Sequence, residues 1–420
     1  MNTHIGRHRR TLQLSATLAA MLAGISTVGG AVTNEPPAAE PAAPAKAAPA
    51  GPAITSIVDR VQQARIEATI KSLPIARAPS PDAAHISGLL ETQKLLIKQL
   101  TELGYKPMTQ TVPYSKRAAG AEPADATEPP ANEPKPEWLN IWVDIPGSTL
   151  PQEVVLVGAH FDAVPQAPGA DDNGSGTAVV MELAHALKDT KPSRTIRLMF
   201  FNLEEGGLFG SRHYALVWKE GSKEHKESIV GMLSLDTIGY FSSEPKSQKN
   251  PFKGVPGFAD LDVGDFLAIC GSSAHRGFIG ALASSMQSAD DRCKTLPIDV
   301  FPNNIMPFIP PDLLRSDHQT FIALGIPAVM VTDTANFRNP HYHKPTDTLE
   351  TLDLERLYHA GRAIAGSTAI LAGVDPASMP TTAALTTKHP PVVLPMPKAK
   401  APAGDSPTKP DDKPSKEPVK

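Results

Sequence analysis

Apolar residues along this chain fall into two rhythms that alternate. Residues 54–73 and 86–103 carry them at helical spacing, with Leu89, Leu96, Leu100 and Leu103 in the second run, which closes at Gly104, a residue suited to the turn after a helix. Residues 108–114 and 139–145 read as strands, the latter stopped by Pro146-Gly147. Val154-Val155-Leu156-Val157 is a continuous apolar run of the kind found in strands buried on both faces. A helix is expected at 177–187, a strand at 195–201, a helix at 210–218 and a short strand at 232–235. A late strand at 328–331 and a closing helix at 354–371 complete the pattern. Strands alternating with helices predict an α/β fold: a three-layer α/β/α sandwich with a mixed, mostly parallel central sheet and helices on both faces.

The polar residues sharpen this picture where the strands end. Val154-Val155-Leu156-Val157 releases His160 and Asp162, the strand at 195–201 releases Glu204 and Glu205, and the strand at 232–235 releases Asp236. Open α/β sheets place their chemistry at such carboxyl ends. Ten residues after His160, Gly169-Ala170-Asp171-Asp172-Asn173-Gly174-Ser175-Gly176 packs two more acids into a turn before a helix. Taken alone, His-x-Asp or Asp-Asp-Asn-Gly is more often a turn and a cap than a site. The recurrence at three strand ends argues otherwise, because unpaired carboxylates beside a buried sheet are expensive. No Lys or Arg adjoins these motifs except Arg212, so one or two divalent cations are the economical explanation. Near the end, His341-Tyr342-His343 offers imidazoles at i and i+2, which point to opposite sides of an extended chain, so one of them faces the site. Two imidazoles and several carboxylates without a thiolate suit a catalytic zinc pair better than a structural zinc, and magnesium would take fewer histidines.

Composition sets the boundaries. Residues 1–33 begin with Arg7, Arg9 and Arg10 and continue as an uncharged Ala- and Leu-rich run, the pattern of a signal peptide for export to the periplasm or beyond the cell. Residues 34–53 form a Pro/Ala-rich linker, and residues 374–420 a Pro/Lys-rich tail; neither holds enough apolar surface to offset its chain entropy. Both read as disordered tethers whose candidate partner is the cell envelope. Residues 117–136 read as a low-complexity insertion within a domain spanning 54–373. A formal net charge of −4 over 420 residues does not point to nucleic acid or an anionic membrane as partner, and no integral membrane partner is evident. Cys270 and Cys293 are either a disulfide or two free thiols.

The ordered series His160-x-Asp162, Gly169-Ala170-Asp171-Asp172-Asn173-x-Ser175-Gly176, Glu204-Glu205-Gly206, Asp236, Ser316-Asp317-His318 and His343-x-x-x-Asp347-Thr348 resembles the dinuclear-zinc exopeptidases of the secreted bacterial leucine-aminopeptidase type, relatives of glutaminyl cyclase and glutamate carboxypeptidase. Carried over position by position, the resemblance implies two zinc ions per chain bridged by Asp172. One would be completed by His160 and Asp236, the other by Glu205 and His343. Asp162 would hold the imidazole of His160, and Glu204 would be the general base. The resemblance also implies a cis peptide at Asp172-Asn173, and peptide or protein N-termini as substrate. This chain departs from the pattern at Leu313, where relatives carry a tyrosine whose hydroxyl faces the developing oxyanion; Tyr240, Tyr342 or a backbone amide are the replacements open to it.

Other readings remain open at this level. Glutaminyl cyclases share the fold with one zinc but lack the first ligand histidine, which His160 supplies here. Carboxypeptidases and dipeptidases need a basic patch that the pattern does not locate. A non-catalytic binding module would be marked by lost ligands, and none is lost.

Overall fold

The computed structural model describes residues 50–80, 82–114, 136–251, 253, 261–300 and 311–389. The signal peptide expected at 1–33, the linker up to residue 49, the insertion at 117–135 and the tail beyond residue 389 lie outside the described residues.

Eight strands form one sheet: β1 Met108–Thr111, β2 Leu139–Ile145, β3 Leu150–His160, β4 Arg194–Phe201, β5 Ser228–Leu235, β6 Leu267–Ser272, β7 Thr295–Val300 and β8 Ala328–Thr332. Their order across the sheet is β1-β2-β4-β3-β5-β8-β6-β7. The four central strands β4, β3, β5 and β8 are mutually parallel, while β2 and β6 meet them antiparallel from either side. Helices intervene: α1 Pro52–Val58, α2 Gln63–Ser72, α3 Ala83–Glu102, α4 Gly176–Ala186, α5 Phe209–Glu220, α6 Arg276–Ala289, α7 His318–Ala323, α8 Leu354–Ala372 and α9 Thr382–Thr386. Among the described residues, no helix is long and apolar enough to cross a membrane.

The continuous apolar strands divide their residues between two cores because successive side chains point to opposite faces. Val155 and Val157 of β3 and Ile196, Leu198 and Phe200 of β4 join the larger core, which α1, α2, α4, α6 and α8 cover. Val154 and Leu156 of β3 and Met199 and Phe201 of β4 pack on the other face against Tyr214 and Ala215 of α5 and Phe321 of α7. The expected three-layer, mostly parallel arrangement is thus present.

Several local expectations are corrected. The helix expected at 54–73 is two helices, broken at residues 59–62, where Arg60 donates to the carbonyls of Ala186 and Lys188 instead of continuing the first helix inward. The strand expected at 108–114 ends at Thr111. Strands β6 and β7 and helices α6 and α7 lie in a stretch where the apolar pattern had given no assignment. The ordered chain also runs past residue 373. Thr381 caps α9, Leu385 is buried, and the His389 amide donates to Ala274 O, so residues 374–389 belong to the packed body rather than to a disordered tail. Cys270 and Cys293 are both buried free thiols, and burial pushes each up to about 12.

Candidate metal centre

Because β4, β3, β5 and β8 are parallel neighbours, the loops leaving them open on one edge of the sheet. His160 is the last residue of β3, Glu204 and Glu205 follow β4, Asp236 follows β5, and His343 lies beyond β8. Asp172 enters from the turn before α4, and its peptide bond to Asn173 is cis. The structure brings five of these side chains into two groups of three. His160, Asp172 and Asp236 form one, and Asp172, Glu205 and His343 the other, with the ligand atoms of each group within 4.8 Å of one another. Asp172 serves both with different oxygens: Oδ1 lies 3.3 Å from His160 Nε2, and Oδ2 lies 3.0 Å from His343 Nε2. Asp236 Oδ1 is 3.7 Å from His160 Nε2, and Glu205 Oε2 is 3.5 Å from His343 Nε2.

Two buried carboxylates hold the loops that carry these groups. Asp162 was expected to orient the imidazole of His160; its Oδ1 lies 3.5 Å from His160 Nδ1, and its two oxygens also accept from the amides of Glu204, at 3.0 Å, and Glu205, at 3.1 Å. The nearest partner of His160 Nδ1 is the Asp162 carbonyl, at 3.2 Å. A carbonyl can only accept, so Nδ1 carries a proton there, and Nε2 is the ring atom turned to Asp172 and Asp236, donating to them without a metal and free to offer its lone pair to one. Asp347 does for the other loop what Asp162 does for the glutamates, accepting from the amides of Asp171 at 2.9 Å and Asp172 at 3.2 Å. Its place in the His343-x-x-x-Asp347 motif was legible, but its role was not, because its partners lie 175 and 176 residues away in the chain. Asp171 turns away from both groups to accept from Gly239 N and Asn339 Nδ2.

The electrostatics are those of an acid cluster waiting for positive charge. Burial pushes Glu204 well above the usual carboxylate range, with His160 opposing and Glu205 and Asp236 reinforcing the rise. Burial and the neighbouring Asp172 do the same to Glu205, whose Oε1 is buried without a hydrogen-bond partner among the described residues. Burial would also lower His160, but Glu204 and hydrogen bonds to Asp162, Asp172 and Asp236 hold it well above its ordinary value. Asp172 alone goes the other way, because hydrogen bonds from His160 and His343 outweigh its burial. Imidazole nitrogens and carboxylate oxygens, an orphaned buried oxygen and one carboxylate shared by two groups fit divalent cations of the zinc type.

Other sequence candidates fall outside the cluster. His341 faces Thr346 Oγ1 and the Tyr240 ring. Ser316 pairs with Ser234 at 3.0 Å, while Asp317 and His318 are fully buried beside it. Arg197 is held by Asp144, Glu227 and Tyr214 in a packing role. Leu313 packs with Phe266, Ile298 and Met330 and offers no donor. Tyr342 stacks on the imidazole of His343 at 3.9 Å and 17°.

Residues 140–368, just over half of the chain, match the profile of Peptidase family M28. The chain belongs to that family. It is 32% identical to the uncharacterized protein YfbL of Escherichia coli over 49% of this chain and 62% of that one. It is 31% identical to the aminopeptidase YwaD of Bacillus subtilis over 50% of this chain and 39% of that one. The chain thus spans less than two thirds of the length of these relatives. Its fold matches the LapA aminopeptidase of Legionella pneumophila at TM-score 0.54 and 18% identity, over 76% of this chain and 74% of that one. It matches a glutaminyl cyclase of Fimbriiglobus ruber about as well, at TM-score 0.51 and 19% identity, over 73% and 95%. The fold therefore does not choose between the two chemistries, and the choice falls to the side chains.

Proposed function

We propose that this M28 chain is a zinc-dependent aminopeptidase that holds two zinc ions and hydrolyses the first residue from peptides. The observation that carries the reading is the sharing of Asp172, one oxygen toward His160 and the other toward His343. A single-zinc cyclase would have no use for the complete His160 group. When bound, the zinc ions would supply Lewis acidity and a water of lowered pKa. His160, Asp172 and Asp236 would hold one ion, and Asp172, Glu205 and His343 the other. Glu204 accepts the proton of the attacking water and passes it to the leaving amine; burial raises its proton affinity, as that task needs. Asp162 fixes both glutamates by gripping their amides.

Tyr342 takes the oxyanion role that Leu313 cannot. Its ring is fixed on His343, and Arg315 Nη2 lies 3.5 Å from its hydroxyl. Burial and the carboxylates of Asp172, Asp236 and Glu205 keep that hydroxyl protonated, so it remains a donor as charge builds on the scissile carbonyl oxygen. Tyr240 is the poorer choice, because its acidic neighbours are Asp333 and Asp171 on the far side of the turn.

The reading is tested on the full chain by zinc content and release of aminoacyl anilides. Two zincs per chain are expected, with Glu204→Gln keeping both and losing about 10²- to 10⁴-fold in kcat. Full turnover in Glu204→Gln would overturn the mechanism, and one zinc without hydrolysis would favour cyclisation. Tyr342→Phe is expected to lower kcat by about 10²-fold with KM little changed, as for a lost oxyanion donor; unchanged kcat would send the role to a backbone amide. Export, and attachment of the tethers to an envelope, rest on composition alone and are tested by locating the mature chain in fractionated cells.

A further inference from the structure

A single guanidinium is bonded to both ends of the β3–α4 connection that leads through the cluster. Arg77 belongs to the connection between α2 and α3, ahead of the residues that match the family profile. Its segment runs tight against α3 at Gly88, where an added Cβ would lie 1.9 Å from Ala76 O. Arg77 is almost wholly buried, and among the described residues its side-chain hydrogen bonds all end on backbone carbonyls. Nε donates to Phe161 O at 2.9 Å, Nη1 to Pro74 O at 3.1 Å and to Pro168 O, and Nη2 to Gly169 O at 2.5 Å. Its own carbonyl accepts from Ala163 N at 2.9 Å.

The acceptors fall in two places. Phe161 follows His160 directly, while Pro168 and Gly169 lead into the turn that presents Asp172. A rigid planar fork with five donors can hold both ends of this connection from one side chain. We propose that Arg77 is a positioning residue that staples together the two ends of the β3–α4 connection, the end that follows His160 and the end that leads into Asp172, so that the two ligands stand in place before any zinc binds.

Charge and geometry make opposite predictions here, which is what makes the role testable. A fixed cation near a divalent ion repels it, so if charge were what mattered, neutralising Arg77 would tighten zinc binding and lysine would preserve wild-type affinity. A staple predicts the reverse. In the full chain, Arg77→Met and Arg77→Lys should both bind zinc about 10- to 100-fold more weakly in chelator competition, the range seen when groups supporting a ligand are removed. The inference rests on the zinc reading above, but the assay uses no peptide; a chain that binds zinc and hydrolyses nothing would sink the aminopeptidase reading and leave the staple standing.

A second measurement needs no variant and so does not depend on the substitutions folding. In the unaltered chain stripped of zinc, the amides of Ala163 and Gly174, bonded to Arg77 O and Gly169 O, should keep their protection from hydrogen exchange. Zinc affinity unchanged or tightened in Arg77→Met, wild-type affinity in Arg77→Lys, or loss of that protection on zinc removal would each overturn the proposal.

Discussion

The two ends of the central strands bury charge in opposite ways. At the start of β4, Arg194 is fully buried and every direction of its guanidinium is met: Glu153 at 2.7 Å, Leu371 O at 2.7 Å, Pro380 O at 2.9 Å and Thr382 Oγ1 at 3.2 Å. Thr382 in turn donates to Glu153 at 2.8 Å, which closes the network and ties α9 to the sheet. At the other end, Asp172, Glu204, Glu205 and Asp236 crowd around two imidazoles, and burial drives the two glutamates toward their neutral forms. A network balanced within the chain serves stability. An excess of one sign, held in place by Asp162, Asp347 and Arg77, is a site prepared for something the chain does not itself contain.

The sharpest way to break this comparison is at the balanced end. Arg194→Met leaves Glu153 without its cation and three acceptors unmet, and should lower unfolding free energy by about 3–5 kcal/mol, read by denaturant titration, while zinc content stays as in the unaltered chain. Zinc lost in step with stability would mean that the two ends are not separable. The next effect is a pH dependence. Burial holds His318 at about 4, below its ordinary value of 6.5, and its Nε2 donates to Leu313 O. A depressed histidine contributes fully above the unfolded value and loses its contribution as pH falls through the folded one. The zinc-free chain should therefore lose about 3 kcal/mol of stability from this group between pH 6.5 and 4, and His318→Gln should flatten that limb; an unchanged slope would refute it. The smallest effect belongs to Asp347→Asn. One oxygen becomes an NH2 facing one of the buried amides of Asp171 and Asp172, so zinc affinity should fall about 10- to 100-fold while stability without zinc falls by only about 1–2 kcal/mol. A larger loss of stability than of zinc affinity would place Asp347 with Arg194 as a structural residue.

How much of this was legible depended on whether the cause was local. The apolar runs of β3, β4, β5 and β8 were plain because a strand buried on both faces must be apolar throughout, and the acids at their ends stood out against them. Strands β6 and β7 were not, since Ala, Cys, Gly and Pro dilute the run, and α6 carries Gly277, Gly280 and several serines. The late boundary after residue 373 escaped because Arg194 and Ala274 fix that segment from far away in sequence. Arg77 gave no signal at all: a lone arginine in a Pro-containing loop looks like surface until its acceptors are known.

The sequence by itself determined the α/β class, the strand ends at which polar groups gather, and the kind of donor present, because periodicity and side-chain chemistry act over a few residues. Only the tertiary structure decided that Asp172 turns one oxygen to each histidine, that Asp162 and Asp347 grip pairs of amides, and that Arg77 joins the two ends of the β3–α4 connection. Those depend on hydrogen bonds between residues far apart in the chain, whose distances and angles are set when the parallel strands pack side by side and no single stretch of sequence encodes them.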